Sequence, residues 1–211
     1  MLCYFTSYLP VLWQLIRVDM IIFKPQFKDR IIDFFIYISL TVVVMAYLLT
    51  EFGVPADFGI FTAATLVATS GMFEVFPRAV NIVSDITGNK VISYDLTLPL
   101  PSWMAIARIG LTDAIRGFIV AIFALPFGLM FVWPQFQPAL FSPFWFMLLL
   151  VVNALFFGFF GLFMASLIKN MSRIDVMWMR IMFPLWTLGG FQFTWQGLHT
   201  KSALLSYVAL L

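Results

Sequence analysis

One cysteine and one histidine are all that 211 residues provide. Cys3 by itself closes no internal disulfide and builds no multi-cysteine metal site. His199 stands among Leu198, Thr200 and Lys201 with no cysteine or carboxylate beside it, the setting of a surface residue more than of a ligand. Catalytic signatures are missing as well. There is no HExxH, no GxSxG and no Walker lysine loop, so no residue is assigned a catalytic or cofactor-binding role and the chain has no nucleotide-binding segment. Charge is scarce, at 10% of residues, and a net +2 is too small and too scattered to point to nucleic acid. The opening MLCYFTSYLP lacks a basic n-region and a small-residue cleavage site, so no removed signal peptide is expected.

Apolar residues fill the chain instead, at 63% of the total. A soluble domain of that composition could not cover its surface with polar groups, and the bilayer is its natural solvent. The expected fold is all-α, a polytopic membrane helix bundle of about five spans preceded by an interfacial amphipathic helix. Residues 1–30 form that first part. Ser7, Gln14, Arg17, Lys24 and Lys28 fall on one helical stripe, with Leu12, Trp13, Leu15, Ile16, Met20, Ile22 and Phe23 over most of the rest and Asp19 off the stripe. Such a helix can lie in the membrane interface, and Pro25 is expected to end or kink it.

Residues 31–211 form the membrane domain, with a span needing about 20 apolar residues. The expected spans are 31–50, 58–76, 103–132 with a kink at Pro126, 143–168 and 176–195. Arg17, Lys24, Lys28, Arg30, Arg78, Lys90, Arg108, Arg116, Lys169, Arg173 and Arg180 all fall on one side of these spans and Lys201 on the other. The positive-inside rule puts the N-terminus, the loop at 77–102 and the 169–175 turn in the cytoplasm of a multi-pass protein of the cell (inner) membrane.

Small residues recur at alternating steps of four and three in two spans: Gly110, Ala114, Gly117, Ala121, Ala124 and Gly128 in one, Ala154, Gly158, Gly161 and Ala165 in the other. They read as helix-packing surfaces, because lipid supplies no hydrophobic drive between helices and backbones must approach closely. Ala64, Ala68 and Gly71 make a shorter version. The ionisable residues in or near the spans are Asp33, Glu74, Asp113 and Arg116. Burial in hydrocarbon makes such residues functional suspects. Their places near the cytoplasmic boundary favour structural roles, with Asp113 and Arg116, at i and i+3, expected to pair with each other.

The order of parts resembles the permease subunits of ABC-2 type exporters over nearly the whole chain. The features that carry it are the N-terminal LWQLIRVDM, the loop in which Asp85-Ile-Thr-Gly88 leads to Leu96-Thr-Leu-Pro-Leu-Pro101, and Pro184 with Gly189-Gly190 before Phe191 and Phe193. The resemblance implies a membrane subunit that moves a drug, lipid or polysaccharide with ATP and Mg bound and hydrolysed on a separate ATPase subunit. It also implies that two permease chains pair as a homodimer, and that Asp85, Thr87, Gly88, Asn89, Lys90 and Asp95 belong to a coupling loop docked on the ATPase. The other reading of the residues is a secondary transporter or channel driven by an ion gradient. Thr194 departs from the family pattern, and the apolar run Ala203 to Leu211 stops where the family continues into a sixth span, as in a truncated product or fragment.

Overall fold

The computed structural model describes residues 2–55, 58–88, 90–97, 99–136, 138, 141–168, 170–188, 193, 195–202 and 207. Among these the regular structure is helical throughout, and four helices are long and apolar enough to cross a membrane.

Helix α1, Leu2–Val43, runs on through a π-helical turn at Val44–Leu48 to a last turn at Leu49–Glu51. The helix does not end at Pro25: Pro10 and Pro25 both lie inside it, and it joins the stretch read as interfacial to the first span. A proline removes one N–H donor, whereas ending a helix in apolar surroundings strands several backbone groups at once. Helix α2, Phe58–Thr87, passes through Pro77 in the same way and takes in the first part of the expected loop. The short α3, Val91–Asp95, follows, then α4, Ser102–Val132, and α5, Pro143–Leu167. Expected and observed bounds of these last two agree within one residue.

Beyond α5 the chain is more broken. Helix α6, Ile174–Met177, enters a π-helical turn at Trp178–Met182 and continues as α7, Phe183–Leu188; α8 is Trp195–Lys201. The expected fifth span, 176–195, is not one of the four long helices. Gly189, Gly190, Phe191 and Thr194 lie outside the described residues.

Helix α4 is the centre of the bundle, touching α1, α2 and α5. It runs parallel to α1, since Leu12 clusters with Met104, Phe27 meets Phe123, and Phe35 meets Phe127. It runs antiparallel to α2 and α5. A side chain at Gly128 would abut Ala63, near the start of α2, while Arg78 farther along α2 reaches back to Asp113. One apolar core lies between α1, α2, α4 and α5 around Ile38, Val42, Leu66, Val67, Ala124 and Leu150. Another joins α2 and α5 to the α6 region through Met72, Val75, Ala79, Met164 and Met182.

All ten small residues of the α4 and α5 stripes are buried. Among the described glycines the tightest approach to another backbone is at Gly158, where a Cβ would stand 2.6 Å from the Gly110 carbonyl oxygen and 2.8 Å from the Ala114 nitrogen. Only a residue without a side chain lets these backbones meet. Along α2, Thr62, Thr65, Thr69 and Ser70 each donate a hydroxyl hydrogen bond to a carbonyl three or four residues earlier. That local bonding keeps a hydroxyl-rich helix compatible with apolar surroundings.

Candidate functional site

Charge gathers where α1, α2 and α4 meet, at the end of the bundle that carries α3. Asp19 lies off the basic stripe of α1 and faces α4. Arg108 grips it with two prongs, Nε donating to Oδ2 at 2.8 Å and Nη2 to Oδ1 at 2.7 Å. The third Arg108 nitrogen, Nη1, donates to Asp95 Oδ2 at 2.9 Å. One guanidinium thus ties the last residue of α3 to α1, the planar fork being suited to such two-pronged carboxylate contacts. Thr112 adds a hydroxyl bond to Asp19 Oδ2 at 3.2 Å.

A second layer lies farther along α4. Arg78 Nε contacts Asp113 Oδ1 at 2.9 Å. Arg116 donates from Nη2 to the Asp19 carbonyl oxygen at 2.9 Å and lays its guanidinium 4.9 Å from the centre of the Phe23 ring. The expected pairing of Asp113 with Arg116 is therefore corrected: side chains three apart on one helix were outcompeted by groups from α2 and α1, which the bundle brings face to face. Glu74 is joined by Arg30 of α1 at 3.8 Å, and Asp33 is exposed.

The placement of this layer is set by α5, which carries no charge. Gly158 packs on Gly110 and Ala114, and Gly161 lies beside Arg78. The Arg78–Asp113 pair is therefore level with a point about 9–14 Å before the end of α5, at a rise of about 1.5 Å per residue. Asp113 is only 9% exposed, and its Oδ2 has no hydrogen-bond partner among the described residues. A water-sized void of about 10 Å³ lies beside it, bounded by Glu74, Arg78, Gly117 and Gly158. A larger cleft of about 300 Å³ opens over the network, between Asn81 and Asp85 of α2, Ile92 and Asp95 of α3, and Arg108 and Thr112 of α4. At the opposite end an apolar groove of about 750 Å³ runs between α2, α4 and α5, past Leu125, Leu129, Trp145 and Phe146.

The loop residues divide into two groups. Asp85 and Asp95 are turned to internal work, Asp85 Oδ2 accepting the Ile92 N–H at 2.8 Å in the first turn of α3. Gly88 and Lys90 are exposed, and Lys90 makes the reversal into α3 with a left-handed φ of 56°. Asn89 lies outside the described residues, as does the Thr87 side chain. What the charges of the loop hid is its apolar surface. Ile86, Tyr94 and Leu96 are 52%, 65% and 46% exposed. Helix α2, at 30 residues, is about 45 Å long, against a hydrocarbon core of about 30 Å, and its Ile86 end is nearly level with the end of α5.

Arg108, Arg78 and Asp19 were not singled out from the sequence as a group. The one signal available was Asp19, a carboxylate out of place among cations and apolar residues. The chain matches no family model, no curated protein and no solved structure.

Proposed function

We propose that this chain is the membrane-spanning permease subunit of an ATP-driven exporter of the ABC-2 class, paired with a second copy and driven by a separate ATPase subunit. The N-terminus and α3 face the cytoplasm of the cell (inner) membrane, and the cargo is a drug, lipid or polysaccharide. The observation that carries the reading is the combination at α3. A short helix between two long ones presents Tyr94 and Leu96 outward and is fastened from behind through Asp95 to Arg108. Exposed apolar side chains gathered beside a charged network at one end of the bundle suit a protein-docking surface. The ATPase would press on that surface, and Arg108 would carry the displacement into α4 and α1 together. Loop charges at Asp85 and Asp95 act on this view as fastenings, with Ile86, Tyr94 and Leu96 as the contacts.

The test is co-purification of tagged chain with the ATPase from its native membrane. Tyr94→Glu with Leu96→Glu should abolish recovery of the ATPase while the four-helix core stays folded. If the ATPase never co-purifies with wild type, or the double variant retains it, the reading fails.

A second reading, a transporter driven by an ion gradient, is favoured by one observation: the buried Asp113 with an unpartnered oxygen beside a water-sized void. Proton flux in proteoliposomes that vanishes in Asp113→Asn and needs no ATPase would select it.

A further inference from the structure

A groove on the outer side of α1 and α4 has a use that neither transport reading assigns. It holds about 370 Å³ and has Met20, Phe27 and Ile119 on its walls, with Arg17 and Lys24 at its rim. Residues seven apart share a helix face and stand about 10 Å apart along it, and both cationic stems are long enough to bend toward one point between them. Three arginines at this end of the bundle are matched, Arg108 by Asp19 and Asp95, Arg78 by Asp113, and Arg30 by Glu74, whereas Arg173 and Arg180, which do not line the groove, have no ion pair among the described residues. Arg17 and Lys24 have no ion-pair or hydrogen-bond partner among the described residues. The exposed acids of α1, Asp29 and Asp33, project more than about 100° away around the helix and cannot neutralise them.

We propose that this groove is a binding site for an anionic phospholipid. Its phosphate sits between Arg17 and Lys24 and one acyl chain lies against Met20, Phe27 and Ile119. Charge decides the occupant. Two uncompensated cations over an apolar trough complement a headgroup bearing net negative charge, and a zwitterionic lipid brings its own cation into the same place. The wall formed by Ile119 belongs to the central helix α4, so a bound lipid braces α1 against α4 beside the Asp19–Arg108 contact. The inference rests on the membrane residence proposed above, and not on the ATPase.

The experiment uses the full chain in detergent micelles, titrated with phosphatidylglycerol or phosphatidylcholine and observed by native mass spectrometry. Wild type should retain phosphatidylglycerol preferentially. Removing one rim cation, in Arg17→Gln or Lys24→Gln, should weaken that binding about fivefold, and removing both about thirtyfold, at roughly the contribution expected per basic residue near an anionic surface. Arg17→Lys with Lys24→Arg should keep the preference, because both charges remain. Ile119→Trp should displace the chain and reduce binding of both lipids. Arg173→Gln, a cation elsewhere on the chain, should change nothing.

Equal retention of the two lipids by wild type, or an undiminished preference in the double glutamine variant, overturns the site. So does cross-linking between two copies through cysteines placed at Met20 and Phe27, which would make this face a protein interface. Membrane residence is scored separately, by whether wild type floats with liposomes after reconstitution and resists carbonate extraction. A chain that floats without selecting phosphatidylglycerol loses the lipid site and keeps its place in the membrane.

Discussion

Arg108 and Asp19 are 89 residues apart in the chain and joined by two hydrogen bonds of 2.8 and 2.7 Å. The contact holds the middle of the longest helix to the central one, and the same guanidinium holds α3. Arg108 is therefore the residue whose removal should disturb both stability and any signal entering through the loop.

Arg108→Ala leaves two carboxylates, Asp19 and Asp95, without their main partner. Breaking a largely buried pair from one side costs about 3 kcal/mol, so unfolding of the variant in detergent should begin at a clearly lower temperature. Asp19→Asn and Arg108→Gln, alone and combined, should give a coupling energy of about 2 kcal/mol in a double-mutant cycle. Additive losses would show that the contact contributes no energy of its own.

The second layer makes a separate prediction. Arg78→Ala should destabilise more than Arg78→Ala with Asp113→Ala, because the single variant leaves a buried carboxylate unpaired while the double one removes both charges. Thermal unfolding of the two proteins in the same detergent decides it. A double variant worse than the single one would mean that Asp113 is held chiefly by other groups.

Glycine positions along the packed helices should behave unequally. Gly158→Ala would push a methyl group into the Gly110 and Ala114 backbones, which cannot move aside cheaply, and overpacking of this kind costs about 1–3 kcal/mol. At Gly161 a Cβ meets nothing closer than 3.7 Å, and at Gly117 nothing within 4 Å. Alanine at either position should be neutral or stabilising by up to about 1 kcal/mol, the helix-propensity difference. The check is the rank order of the three unfolding midpoints, with Gly158→Ala lowest.

Topology can be read with one cysteine at a time in a Cys3→Ser background. Tyr94→Cys should react with an impermeant maleimide only after the cytoplasmic face is opened. Trp133→Cys, beyond the far end of α4, should react from outside in sealed cells. Reversed labelling would invert the orientation drawn from the charges.

Two of the long helices could be bounded from composition alone. Ser102–Val132 and Pro143–Leu167 sit where uninterrupted apolar residues and their polar flanks put them, because the energy that fixes a membrane-length helix is local and scales with its own side chains. The small-residue stripes were legible for the same reason, as a period along one helix. The helices run on through Pro25 and Pro77, since a proline's local cost says nothing of the larger cost of stranding backbone groups in apolar surroundings. In a chain this apolar, nothing in the sequence separates the exposed Tyr94 and Leu96 of the loop from apolar residues that pack inside.

Residue types and their spacing by themselves determined that the chain is an apolar, all-helical bundle with every cation but Lys201 on one side of the expected spans and glycine–alanine seams on two helices. Tertiary structure decided which charges meet. Asp113 chose Arg78 over its own neighbour Arg116, and Asp19 chose Arg108. Ion pairs between helices depend on the relative height and rotation of whole elements, and those are set by side-chain packing such as the Gly158 contact with Gly110, which no single stretch of sequence contains.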